Sequence, residues 1–275
     1  MHGPPRSPCP HDRRWRTAGT LVSSGLAWVL VAACCWPAAA ATPVGQWVWS
    51  RRDLRVLEQA RRVRPDLAAA VSIAELHWDG AVRTTLRLPP EVAGPPAMLA
   101  IRLDDSFHRA PAQATGSQLE QALGRILAAA GPRHAKTPVE LDYDAPVARL
   151  GDYAAWLDVC RTGALRGREL WITSLPSHLD APDFRALFTA RVDGHVPQVF
   201  DTGAPWSPAR AERLAAGIER AGLPFALGLG GFDRTDTDHA AWLAAVPRLA
   251  ALPTFRGTWF FPAGFDCTPL LRRLP

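Results

Sequence analysis

The sequence predicts an α/β fold of the (β/α)8 or TIM-barrel type, and three observations predict it. Short apolar runs of strand length alternate with helical periods from Gly45 to the carboxyl terminus. Eight such runs fit into roughly 230 residues, close to the ~250 of a typical barrel. Polar and aromatic side chains gather at the carboxyl ends of those runs, where barrels keep their chemistry. A doubly wound open sheet is the alternative use of the same alternation.

In order, the strands read 46–50, 68–78, 98–104, 139–144, 169–175, 195–201, 225–229 and 256–261. Each shows a β-branched or aromatic run bounded by turn residues. Helical periods fall between them at 52–63, 116–130, 151–162, 182–190, 207–221 and 239–249, with a stub at 268–274. One repeat departs from the rule. Residues 79–97 hold an extended stretch at 83–88 and prolines at 89, 90, 95 and 96, without a helical period. Proline removes a helix donor, so an extended excursion is expected to replace the helix between the second and third strands. Residues 42–275 read as a single domain with no fixed-period repeat.

The fourth strand carries the strongest chemical signal. Glu140, Asp142 and Asp144 alternate with Val139, Leu141 and Tyr143, so the three carboxyl groups share one face. Buried charge is costly unless paired or used, and such a face implies a polar pit rather than ordinary core. Other strand ends add Glu75 and His77, Arg102 and Asp104, Gln198 and Asp201, and the aromatics Trp49 and Trp259. Asp144, Asp142 and Glu140 are the catalytic candidates, with Glu75 and Asp104 in support. Trp259, Arg102, His77, Trp49, Gln198 and Asp201 are the candidates for substrate binding. Each also has a plain structural reading. Asp104 and Asp201 suit helix caps or turns, Arg102 suits an internal counter-ion, and any single Trp suits core packing.

The first 41 residues form a separate segment. Arg13, Arg14 and Arg16 precede an uncharged apolar run at 17–33, and small residues follow at 38–41, the pattern of a secretory signal peptide. Val31-Ala32-Ala33-Cys34 fits a lipobox with lipid on Cys34, whereas Ala39-Ala40-Ala41 fits release of a soluble protein near Thr42. Both readings stand, and both take the chain out of the cytoplasm, to the periplasm or to a lipid-anchored place on the membrane. Segment 1–41 carries four Arg and one Asp, so about +2 of the chain's formal +5 remains on the mature part.

That scattered charge excludes a nucleic-acid footprint. Lys136, the one lysine beside thirty arginines, precedes the fourth strand at the wrong end for a Schiff base. The histidines are too dispersed for a metal cluster, and the glycines at 228, 230 and 231 read as packing residues rather than a phosphate cradle. No cofactor or metal is expected, and the expected state is a monomer. Cys160 and Cys267 read as buried or free thiols rather than a bridge.

A resemblance adds to this. Residues 139–144, Leu150-Gly151-Asp152-Tyr153, Leu170-Trp171-Ile172-Thr173-Ser174-Leu175 and Val192-Asp193-Gly194-His195 resemble an uncharacterised bacterial family of secreted, glycosidase-like TIM-barrel proteins. The likeness runs from Trp47-Val48-Trp49 to Pro224-Phe225. The acidic strand is also similar to the D-x-D-x-E strand of family 18 chitinases. That resemblance implies Asp144 in the place of the general acid, Asp142 beneath it and Glu140 innermost, with Trp259 flooring a sugar subsite. Asp144 is one methylene shorter than the family's Glu. The expected function is an exported glycosidase-like protein processing envelope or extracellular polysaccharide by carboxylate acid/base chemistry. The alternative is a non-catalytic saccharide-binding or envelope-assembly protein.

Overall fold

The computed structural model describes residues 43–200, 207–230 and 239–273. The expected leader at 1–41, with Cys34, lies outside the described residues, as does Asp201. The elements are β1 Val44–Val48, α1 Arg51–Arg61, β2 Ala68–Trp78, β3 Val82–Leu86, β4 Met98–Leu103, α2 Ala112–Ala130, β5 Val139–Tyr143, α3 Leu150–Thr162 and β6 Leu170–Ser174. They continue with α4 Pro176–Asp180, α5 Phe184–Phe188, β7 Gly194–Pro197, α6 Pro208–Ala221, β8 Phe225–Gly230, α7 His239–Ala250, β9 Phe255–Phe261 and α8 Thr268–Leu271.

Strands β1, β2 and β4–β9 pair in parallel, and the β1–β2 and β1–β9 pairings close the ring. This is the (β/α)8 barrel. The excursion between β2 and β4 is also as expected. In place of a crossover helix, β3 turns back antiparallel along β2, from Trp78↔Val82 to Ala74↔Leu86. The Gln118 side chain on α2 accepts the Val82 N–H at 2.9 Å and fixes the start of the hairpin.

Local sequence explains the other joints. Ser50 caps α1, and the Asp53 carboxylate accepts the N–H groups of Trp49, Ser50 and Gly264. One buried acid thereby ties the loop after β1 to the loop after β9. The helix expected at 182–190 is present as the shorter α5, and a second short helix, α4, precedes it with a break between the two. Ala181 precedes Pro182 and is extended at φ −72°, ψ 126°; the clash of the proline ring with the preceding residue accounts for the break.

The outer core fills the space between strands and helices, and a second cluster fills the barrel. Trp47, Trp171, Trp259 and Phe261 dominate the inner one, with Ala70, Met98, Ala100, Val196 and Ala226 around them. Such large rings need room. A Cβ on Gly45 would lie 2.2 Å from the Trp259 ring, and one on Gly194 would lie 2.5 Å from Trp171. Gly228 and Gly230 do the same for Phe261 and Phe200, so both serve packing. Cys160 and Cys267 are free and buried.

Candidate functional site

Strand β5 sends Glu140 and Asp142 into the barrel, where Glu140 is 0% and Asp142 2% exposed. The parallel register pairs Arg102 on β4 with Asp142. Arg102 spans two acids, with Nη1 3.6 Å from Asp142 and Nη2 3.6 Å from Asp144. These are ion-pair separations, beyond good hydrogen-bond range. From β6 the Thr173 hydroxyl reaches Glu140 Oε1 at 2.5 Å and Asp142 Oδ1 at 2.9 Å. Glu140 Oε2, Asp142 Oδ2 and Asp144 Oδ1 are buried without a hydrogen-bond partner.

Burial and mutual repulsion set the proton affinities. Burial pushes Glu140 well above the usual carboxylate range, and Asp142 pushes it further, with Thr173 opposing. Asp142 is pushed up to about 6 by burial and then by Asp144, against Arg102 and Thr173. Asp144 is raised by burial, while Arg102 pulls it back. The Arg102 guanidinium is held above its ordinary value because the attraction of Asp142 and Asp144 outweighs its burial. Such a stack can hold a proton near neutrality and pass it to a bound group, the property acid/base chemistry requires.

Among the described residues, two clefts at the carboxyl ends of the strands border these groups. The larger, about 570 Å³, is lined by Asp144, Ser177, Gln198, Phe200, Arg210 and Arg213 among others. The smaller, about 350 Å³, is lined by Trp49, Ser72, Glu75, Arg87 and Arg102. Glu75 is paired there with Arg87 at 2.6 Å. Arg102 thus lines one cleft while contacting an acid that lines the other.

Asp144 and Gln198 thus line the larger cleft, Arg102, Glu75 and Trp49 line the smaller one, and Glu140 and Asp142 lie buried beneath them in the barrel. Three other candidates do not join them. The Asp104 carboxylate is turned back to cap its own loop, accepting the Ser106 N–H at 2.9 Å and the Ser106 hydroxyl. That preference for local backbone bonds is the ordinary one for Asp after a strand. Trp259, expected to floor a sugar subsite, is 8% exposed and packs edge-on to Trp47 at 5.6 Å inside the barrel. His77 stands half-buried opposite Arg83 in the β2–β3 hairpin.

Several residues of the site carried little signal in the sequence. Thr173 reads as a β-branched strand former. Its alternation with Trp171 on an inward face was the available clue. Arg210 and Arg213 read as the solvated face of an amphipathic helix. His108, whose ring nitrogen lies 3.2 Å from the Asp144 carbonyl oxygen, sits in a short turn of 3-10 helix after β4.

The model of a family described as a domain of unknown function (DUF3142) matches residues 93–227, and the expected resemblance to an uncharacterised family holds over that stretch. No curated protein matches the chain. Among solved structures, the spore cortex-lytic enzyme SleL of Bacillus cereus aligns with a TM-score of 0.57 and 12% identity, over 84% of this chain and 74% of that one. A tamarind chitinase-like lectin aligns at TM-score 0.55 and 10% identity, over 85% of this chain and 99% of that one. A xylanase–α-amylase inhibitor protein in complex with trehalose aligns at TM-score 0.59 and 12% identity, over 85% and 97%. At these identities the likeness is one of fold: a glycosidase-like TIM barrel.

Proposed function

We propose, from a glycosidase-like barrel whose residues 93–227 carry a domain without assigned activity, that this protein is exported and processes envelope or extracellular polysaccharide by carboxylate acid/base chemistry. The observation that carries the reading is the pairing of Asp142, buried and pushed up to about 6, with Asp144 in the wall of the larger cleft. A glycosidic oxygen leaves when it is protonated as its bond breaks. Asp144 is the donor to that oxygen. Burial raises the donor's hold on its proton and the Asp105 carboxylate adds to it, while Arg102, 3.6 Å from both Asp142 and Asp144, stabilises the anion left after transfer. Trp49 and Phe200 offer ring faces on which sugars stack.

Export rests on the leader at 1–41. Mass spectrometry of the mature amino terminus tests it: a lipid-modified Cys34 makes the protein a membrane-anchored lipoprotein, and a start near Thr42 makes it a soluble periplasmic one. An intact Met1 removes the export reading.

Saccharide binding without cleavage is the second reading. Its support is that Asp144 is short for a donor and already faces a guanidinium. Asp144→Asn and Asp142→Asn assayed on a polysaccharide panel separate the two. Turnover by the wild type, lost in both variants with binding retained, supports the enzyme. Binding by the wild type with no turnover on any polysaccharide supports the other.

A further inference from the structure

Two irregularities of the barrel build the smaller cleft. Strand β2 carries a bulge: Ser72 pairs with Ala100 and Ala74 with Ile101, which leaves Ile73 as an extra residue. Ile73 and Ala74, consecutive in the chain, both join the outer core. An unbroken strand would send Ser72 and Glu75, three residues apart, to opposite faces. The bulge re-aims Glu75, and both side chains line the cleft of about 350 Å³. The second irregularity is the hairpin. Thr85 on β3 pairs with Glu75, and Arg87, two residues on, shares its face. The Arg87 and Leu88 N–H groups then bond the Ile73 and Ser72 carbonyl oxygens at 2.9 and 3.2 Å, which holds Arg87 across the bulge.

Every charged group in that lining already has an opposite partner among the described residues. Arg87 meets Glu75 Oε2 at 2.6 Å, and Arg102 stands 3.6 Å from Asp142 and Asp144. A carboxylate entering here would meet the repulsion of Glu75 and Asp144 and find neither guanidinium unpaired. Hydrogen-bonding capacity, by contrast, is left over. Arg102 makes only long ion-pair contacts, and Glu75 keeps Oε1 to accept a hydroxyl. The Ser72 hydroxyl, in a residue 3% exposed, has no hydrogen-bond partner among the described residues. Trp49 adds a ring face. We propose that this cleft is a subsite for an uncharged sugar ring, with Trp49 against the ring and Ser72, Glu75 and Arg102 bonding its hydroxyls. Arg87 is a positioning residue that holds Glu75 and offsets its charge. The inference rests on the saccharide reading above and names the substrate class for the same site. Arg102 also contacts Asp144, so a ring held here neighbours the linkage offered to the donor.

The test is isothermal titration calorimetry on the mature chain with the β-1,4-linked hexamers of glucose and mannose and the α-1,4-linked hexamer of galactose. Each is measured beside the uronate hexamer of the same linkage. At least one neutral hexamer is expected to bind about tenfold or more tightly than its uronate. Ser72→Ala should weaken that neutral hexamer about threefold to tenfold, the share of one hydrogen bond. Its melting temperature should not move, since the hydroxyl has no protein partner to lose. Glu75→Gln frees Arg87 for a carboxylate and should narrow the neutral preference to about threefold or less. Arg87→Gln bares Glu75 and should widen it. Shifts of the same sign in these two variants would deny Arg87 its part. Uronates that bind as tightly as the neutral hexamers overturn the proposal, as does a neutral hexamer whose affinity Ser72→Ala leaves unchanged. Uronates that bind and are turned over would leave the saccharide reading standing while this inference falls. Failure of every hexamer to bind would remove both.

Discussion

The Thr173 hydroxyl oxygen lies 2.5 Å from Oε1 of Glu140, deep inside the barrel, and the same oxygen lies 2.9 Å from Asp142 Oδ1. A hydroxyl has one hydrogen to give. It donates to one of these oxygens, and the other contact is complete when that carboxyl group carries a proton of its own. Burial of Glu140 makes it the group that keeps the proton.

Thr173→Val removes both bonds and leaves two buried acids without their shared partner. The cost is expected to be about 2 kcal/mol, the scale of an orphaned buried polar group. Thr173→Ser keeps the hydroxyl and should lose less than half of that. Urea denaturation of the three proteins at pH 5 measures it, and equal stability of the Val and Ser variants would contradict the bridging role.

Stability should vary with pH in two opposed ways. The native pKa values of Asp142 and Glu140 are raised, so the folded protein binds more protons than the unfolded chain above the ordinary carboxylate range. Their contribution is present at low pH and is lost as pH rises through about 6 for Asp142. His195 is the reverse. Burial lowers its pKa to about 3, so it disfavours the fold as pH falls below the ordinary histidine value. Glu140→Gln should therefore gain melting temperature relative to wild type at pH 8 compared with pH 5. A difference that is flat across that range would refute the buried proton on Glu140.

Arg102 counteracts the rise of both Asp142 and Asp144. In Arg102→Gln the Asp142 carboxyl should titrate above its value of about 6, and Asp144 should shift the same way. Carboxyl-carbon NMR titration reads both. Unmoved titrations would mean that the 3.6 Å contacts carry no charge coupling.

Gly45→Ala places a methyl group where the Trp259 ring already stands, with 2.2 Å between the new carbon and the nearest ring atom. Overpacking of this kind costs about 1–3 kcal/mol or more. Thermal unfolding should show a clear loss for Gly45→Ala and for Gly194→Ala. By contrast Gly151→Ala, where the space around an added Cβ is open, should cost little.

The barrel was legible because each strand's apolar run and each helix's period are local properties. The turn-back at β3 was legible for the same reason, through its prolines. Alternation placed Glu140 and Asp142 on a common face because a strand's geometry leaves no other choice. What sequence withheld was where a side chain bends once it reaches the mouth. Asp104 turns to its own backbone rather than the cleft, and Trp259 lies in the packed interior because Gly45 leaves room for it. Thr173 matters through Glu140 and Asp142, more than thirty residues away, and no local period reports such meetings.

Each glycine facing a tryptophan across the barrel wall has surrendered its side-chain volume to that neighbour. Trp259 with Gly45 and Trp171 with Gly194 are thus single objects divided between two codons. Drift at one member alone is closed off, so in diverging lineages a bulkier residue at position 45 should travel with a slimmer one at 259, and the same bargain should couple 194 to 171.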